Sequence, residues 1–516
     1  MSKDAAQQLK NRLKAIQKLP PVQEGVALHV PGVGSSISIA YEQLRIAAEY
    51  TEDHLLLERA IRRFLVRNLS FHHQRNLGEI GEELVIELTQ SGYLKNSSIS
   101  VDTTVAITKY VDRYRTAYSQ IRKSHVPTEI ARGWVLDIIS VGVTELLNPQ
   151  PELSVFTYFA YEHYLGLLPQ SDLIADPTEA NRYEISLYVG VHRALLKSDL
   201  ATIRYDLVRL YGHDPDRLPE FIQFNLDITD VFYSKLTQRL RRAVSKYGAP
   251  FRVLLRMLEN NAGIAETLTD RMSFLAMYEQ QTYTEYRAVR ERLNRGLIKS
   301  IVFLLITKGI VGFGVEVPYD LATVGSVAVL PLGINLLFPP LYMATLRLGL
   351  RLPSIQNAQA LQDYIDKALY SDTPPLKPSL RSITRSMSIA AKILYTFVFF
   401  VPFAITVFVL TFLHFTVVQM FIFFVFLSAA SFLGFRLSQT IRELEIVTQE
   451  VGFLVAMRDF FYLPFIVVGQ WLSSKYAKAN IVGLFLDIII EMPLKTVLRL
   501  LRQWLRFLND RREQIY

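Results

Sequence analysis

The residues best placed to do chemistry in this 516-residue sequence stand where charge is least expected. Lys308 lies inside the apolar run GLIKSIVFLLITKGIVGFGVEVPYD, residues 296–320. On a helix it sits nine residues, about 13 Å, past Lys299 and eight residues, about 12 Å, before Glu316. A lysine side chain reaches roughly 6 Å, so snorkelling alone leaves the ammonium short of either end. Burying it in hydrocarbon costs about 2.5–3.5 kcal/mol unless a partner or water meets it. The partners on offer are Asn335, whose amide oxygen accepts a hydrogen bond, and Glu316 or Asp320 if the turn EVPYD dips inward. Pro331, Pro339 and Pro340 interrupt the next apolar stretch and free backbone carbonyls near the same depth. Two chemistries fit this set. One is an ion or solute site of the kind broken helices make in transporters; the other is a structural tie between helices. The scarcity of polar groups in the remaining apolar runs favours the tie.

No other constellation has the spacing of a catalytic or metal site. FHHQRNLGEIGEEL brings His72, His73, Glu79, Glu82 and Glu83 close in sequence. Adjacent histidines on a helix point about 100° apart, and no H-E-x-x-H spacing follows, so a solvated face suffices. HVPGVGSS, residues 29–36, has a G-x-G without the Gly-Lys-Ser/Thr that wraps phosphates. The chain has no cysteine, which excludes disulfides, thiolate zinc sites, iron–sulfur ligation and a cysteine nucleophile. No catalytic residue, cofactor or metal ligand is assigned, and the chain is expected not to be an enzyme.

Charge and hydropathy place these residues. Residues 1–296 hold 36 Lys and Arg against 35 Asp and Glu, whereas residues 297–516 hold 20 against 13. The basic excess therefore sits in the hydrophobic half, as in cytoplasmic loops of membrane proteins, and nucleic acid is a poor partner. Ile393–Phe435 runs 43 residues without a charge, roughly 65 Å of helix, about twice the hydrocarbon thickness. It must fold back, and HFTVVQ, residues 414–419, is its least apolar point. Spans are expected at 297–317, 321–345, 393–413 and 416–436. Between Asp372 and Glu443 every charge is basic and lies outside the second hairpin. Arginines likewise flank the first hairpin, so the positive-inside rule puts both turns outside and both termini in the cytoplasm of a bacterial inner membrane.

The elements outside the spans are read as helical. MSKDAAQQLKNRLKAIQKLPP carries Leu9, Leu13 and Ile16 at helical spacing among lysines, with Pro20 and Pro21 as a stop, and reads as a basic amphipathic helix, a solvated tail in preference to a membrane-surface anchor. Residues 41–290 show helical periodicity broken by SGYLKNSSIS, NPQP and GHDPDRLPE, which predicts an all-α cytosolic domain. Within it, 153–168 is a buried core helix, being too short and too charged to span. The basic run 234–260, with Lys235, Arg239, Arg241, Arg242, Lys246, Arg252 and Arg256, suits a solvated face, a protein partner or lipid. The expected order is a basic helix and linker at 1–40, the domain at 41–290, a hairpin at 291–346, a polar connector at 347–391, a second hairpin at 392–436, and a membrane-associated region at 437–516. In the last, Arg458, Asp459 and Pro464 interrupt 451–472, which reads as re-entrant or interfacial, and 481–493 is short for a crossing, with a fifth and a sixth span as the alternative. Helix 494–508 places Lys495, Arg499, Arg502 and Arg506 opposite an apolar face bearing Trp504, which suits anionic inner-leaflet lipid headgroups or the protein's own bundle. Small residues at Gly309, Gly312, Gly314, Ser428, Ala429, Ser431 and Gly434 allow close helix contact within one chain or in a homo-oligomer.

The stretches LIKSIVFLLITKGIVG, INLLFPPLYM and FLDIIIEMPLKTVL resemble a group of uncharacterised multi-pass membrane proteins of bacteria with small genomes. The resemblance spans residues 296–508 and implies membrane integration without any activity. The sequence therefore points to a non-catalytic, membrane-anchored interaction or scaffold protein with a protein partner on its helical domain. The competing reading is an oligomeric channel or transporter centred on Lys308.

Overall fold

The computed structural model describes residues 5–17, 25–30, 38–39, 42, 55–68, 79–170, 177–213, 215–261, 263–323, 325–349, 352–371, 389–447 and 453–479. Among these the chain is all-α, as expected, with no strand beyond one isolated bridge between Ala27 and Ser100. It divides into two compact units. Lys495, Arg499, Arg502 and Arg506, the helix expected at 494–508 and the segment 481–493 lie outside the described residues. So do His72, His73 and the Pro-rich stretch before Ser379. The amino-terminal helix α1 (Ala5–Gln17) buries Ala5, Ala6, Leu9 and Leu13, so it is a packed element rather than a solvated tail. Four apolar residues on one face gain more from burial than the intervening lysines lose.

One unit comprises residues 12–165 and 174–242 of the described chain. It contains α2 (Leu56–Asn68), α3 (Ile80–Gln90), α4 (Val101–Ile121), α5 (Thr128–Leu147), α6 (Pro151–Leu167), α7 (Tyr183–Val191), α8 (Leu200–Tyr211), α9 (Leu218–Tyr233) and most of α10 (Lys235–Lys246). At its centre, α5 packs against α2, α4 and α8. It can do so because it is apolar nearly all round, burying Ala131, Val135, Ile138, Ile139 and Val143 completely. Short side chains start its neighbours. Ser100 Oγ accepts from Thr103 N at 3.2 Å to cap α4, and Asp199 Oδ1 accepts from Thr202 N at 3.0 Å to cap α8.

The other unit holds α11 (Ala249–Asn260), α12 (Arg271–Val311), α13 (Val317–Thr323), α14 (Val329–Gly349), α15 (Ile355–Tyr370), α16 (Ile389–Phe412), α17 (Val417–Arg442) and α18 (Phe453–Ala479). The boundary expected at 290 falls inside α12, which runs without a break from Asp270, whose carboxylate caps it. Among the described residues three helical stretches are long and apolar enough to cross a membrane: Arg271–Thr323, Ile393–Phe412 and Val417–Arg442. Their apolar side chains are largely exposed, with Phe397, Phe408 and Phe412 all above 70% on α16 alone. A surface of that kind needs an apolar solvent.

Four expectations change. The stretch EVPYD is not a turn: Gly312–Glu316 is a π turn that leads directly into α13, and the chain reverses only between Thr323 and Val329. Consequently the apolar part of α14 is Val329–Thr345, shorter than the span expected at 321–345. Prolines do not interrupt these helices: Pro339 and Pro340 lie within α14, and Pro464 lies within the 27-residue α18. Packing against neighbours overrides the lost ladder bonds, as it does in helix bundles of low polarity. The connector is partly a folded helix, since α15 buries Ala358, Leu361, Tyr364 and Ile365 and packs on α11 and α12.

Candidate functional site

Lys308, Glu316 and Asp320 share one buried stripe because of the π turn. Eight residues of α-helix would rotate Glu316 about 80° away from Lys308; the extra residue of one π turn takes back about 100°. Asp320 then follows one helical turn after Glu316, on the same face. The stripe Leu304, Lys308, Gly312, Glu316 and Asp320 is buried throughout, with Lys308 1% and both carboxylates 0% exposed.

The facing helices complete the cluster. Lys308 Nζ meets Glu316 Oε1 at 3.2 Å and lies 4.5 Å from the centre of the Phe426 ring on α17. Glu316 Oε2 accepts a hydrogen bond from Asn335 Nδ2 of α14 at 2.8 Å. The same Nδ2 donates to the backbone carbonyl of Gln419 at 3.2 Å. Gln419 Nε2 in turn donates to Asp320 Oδ2 at 2.8 Å, and the backbone N–H of Ala328 reaches that oxygen at 3.3 Å. Gln419 is held from its other end by a capping box: its Oε1 accepts from Thr416 N at 2.9 Å while Thr416 Oγ1 accepts from Gln419 N at 3.4 Å. Three segments distant in sequence are thus joined through one continuous polar chain. Beside it, the hydroxyls of Tyr342 and Ser431 bond at 2.9 Å. Gly469 of α18 lies against the Ser428 carbonyl and Phe432, where any Cβ would collide. Ser428 and Ser431 of α17 therefore serve contacts within this chain.

No protein family, curated protein or solved structure matches this chain.

The geometry brings together all four residues expected at the site, with altered roles. Asn335 does not accept from Lys308; its amide NH2 donates to Glu316, and Glu316 itself takes the ammonium. Glu316 and Asp320 reach the cluster as helical residues, with no dipping turn. Sequence reasoning missed Gln419, which looked like part of a turn; the T-x-x-Q spacing of Thr416 and Gln419 was the available signal. Two carboxylates face one ammonium here. Asp320 Oδ1, Asn335 Oδ1 and Ser428 Oγ are buried without a hydrogen-bond partner. Pro339, lacking an N–H, also leaves the Asn335 carbonyl without its ladder bond.

Proposed function

We propose that this chain is an integral membrane protein that anchors a helical domain for interaction with a partner and catalyses no reaction. The observation that carries this reading is the closure of the polar cluster. Lys308 and Glu316 are in direct contact and at most 1% exposed, so no solute reaches the intramembrane charge without first breaking the pair. Such a pair costs desolvation and returns specificity: it fixes the register of α12, α14 and α17. In this reading the basic flanks of the hairpins face the cytoplasm of a bacterial inner membrane and the segment 325–328 faces outward. Reconstitution into liposomes tests it. The anchor reading expects ion and solute flux no greater than in protein-free vesicles, and an impermeant maleimide labelling Ser326→Cys in intact cells. Flux well above background overturns it.

A second reading, an oligomeric channel or transporter, is favoured by one observation. Asp320 Oδ1 and Asn335 Oδ1 are buried acceptors with no donor, in a cluster with one more carboxylate than ammonium. That reading expects a flux that Lys308→Met abolishes while the protein remains folded.

A further inference from the structure

We propose that the unit containing α2, α5 and α8 has a binding site for a small organic cation, an amine carrying an apolar arm, in a cavity of about 470 Å³ lined by Glu58. The cavity has the size of small-molecule sites. Its walls include Val141 and Leu153 for an apolar arm, and Glu58 and Glu145 as acids; among the described residues no lysine, arginine or histidine lines it.

Glu58 forms no ion pair among the described residues. It is 5% exposed, in the first turn of α2, and its two contacts are hydroxyls at long range: Ser140 Oγ at 3.5 Å and Thr202 Oγ1 at 3.4 Å. Each hydroxyl has one proton and a nearer acceptor. Ser140 Oγ lies 3.1 Å from the Asp137 carbonyl, and Thr202 Oγ1 lies 3.1 Å from Asp199 Oδ1. The neighbouring cations are engaged as well. Arg62 pairs with Asp137, and Arg204 spends its fork on Asp137 at 3.1 Å, Asn225 Oδ1 at 2.8 Å and Thr229 Oγ1 at 3.0 Å. The third acid of the cavity, Glu42, already has Arg63 and the Tyr93 hydroxyl, each at 2.9 Å. Glu58, with the half-buried Asp137 and Asp199, stands against Arg62 and Arg204, one acid more than there are cations. Burial, and after it the Asp199 charge, pushes the Glu58 carboxyl up to about 8, so it holds a proton at neutral pH. An arriving ammonium replaces that proton. The carboxyl O–H bond breaks, the proton passes to the buffer, and the carboxylate and ammonium remain paired with the net charge of the cavity unchanged.

Calorimetry on the full chain in detergent micelles tests this at pH 7 with tryptamine, and with tryptophol as its uncharged counterpart, each in phosphate and in Tris. Saturable tryptamine binding is expected, about tenfold or more tighter than tryptophol, with close to one proton released per amine bound. Glu58→Gln is expected to weaken tryptamine by about tenfold or more and to abolish proton release. The proton count of the unsubstituted protein stands without any variant. Absence of saturable tryptamine binding, equal binding of the amine and the alcohol, binding without proton release, or an unaltered response in Glu58→Gln each overturns the proposal.

Discussion

Lys308→Met removes the only cation among the described residues of the cluster in the unit that holds the candidate membrane spans. Glu316, fully buried, then keeps the Asn335 amide at 2.8 Å but loses the ammonium at 3.2 Å. Removing one member of a buried pair leaves an uncompensated charge and costs about 3–5 kcal/mol, a hundredfold to several-thousandfold in the ratio of folded to unfolded protein. Removing both charges has a different outcome. In Lys308→Met/Glu316→Gln the new amide still accepts from Asn335 and no charge is stranded, so the double variant is expected within about 1 kcal/mol of the original. Glu316→Gln alone strands the ammonium at a similar cost, so the coupling between the two positions is about 5 kcal/mol or more, well above the value for independent sites. Reversible unfolding in mixed micelles, titrated with a denaturing detergent and followed by circular dichroism, measures all four corners of the cycle. The reasoning is refuted if Lys308→Met shifts stability by less than about 0.5 kcal/mol, or if the two single effects simply add.

Other consequences follow from the same contacts. Gly469→Ala drives a Cβ into the Ser428 carbonyl oxygen and places it 2.7 Å from Phe432 Cβ, and should cost about 1–3 kcal/mol by forcing α17 and α18 apart. Gly296→Ala meets only the tip of Leu437 at 2.8 Å and should cost clearly less in the same assay. Arg204→Ala should destabilise the unit built around α5 by about 3–5 kcal/mol, and Arg204→Lys should restore less than half of that, because an ammonium cannot reproduce the fork. Burial lowers His163 and His192 to about 3, beneath the unfolded value of 6.5, so the stability of their neutral forms is complete above pH 6.5 and declines as pH falls toward 3. Each contributes a slope of about 1.4 kcal/mol per pH unit within that window. Glu58, raised from 4.5 to about 8, acts in the opposite sense: stability is lost as pH rises from 4.5 toward 8. Glu58→Gln should therefore flatten the decline between pH 4.5 and 8 in a series of thermal melts, and an unchanged profile would contradict this assignment.

Local chemistry determined much of this protein in advance. The absence of alternating strand patterns made it all-α, the charge-free run 393–435 required a hairpin, and Lys308 demanded a partner among Glu316, Asp320 and Asn335. Those inferences rest on solvation and helical repeat, which a linear sequence carries. Helix continuity through Pro339, Pro340 and Pro464 was not readable, because neighbouring helices offset what proline forfeits locally. Nor was the π turn at Gly312–Glu316, a single-residue shift in register that alone aligns Lys308 with Glu316. The helical repeat did carry one faint sign of the cavity: Glu58 falls on the same face as the buried Ile61 and Leu65. What the acid meets there was decided by tertiary structure. Glu58 finds Thr202 across 144 residues, and Asn335 finds Gln419 across 84. Contacts at that separation depend on how whole helices pack, and no local pattern of residue types records it.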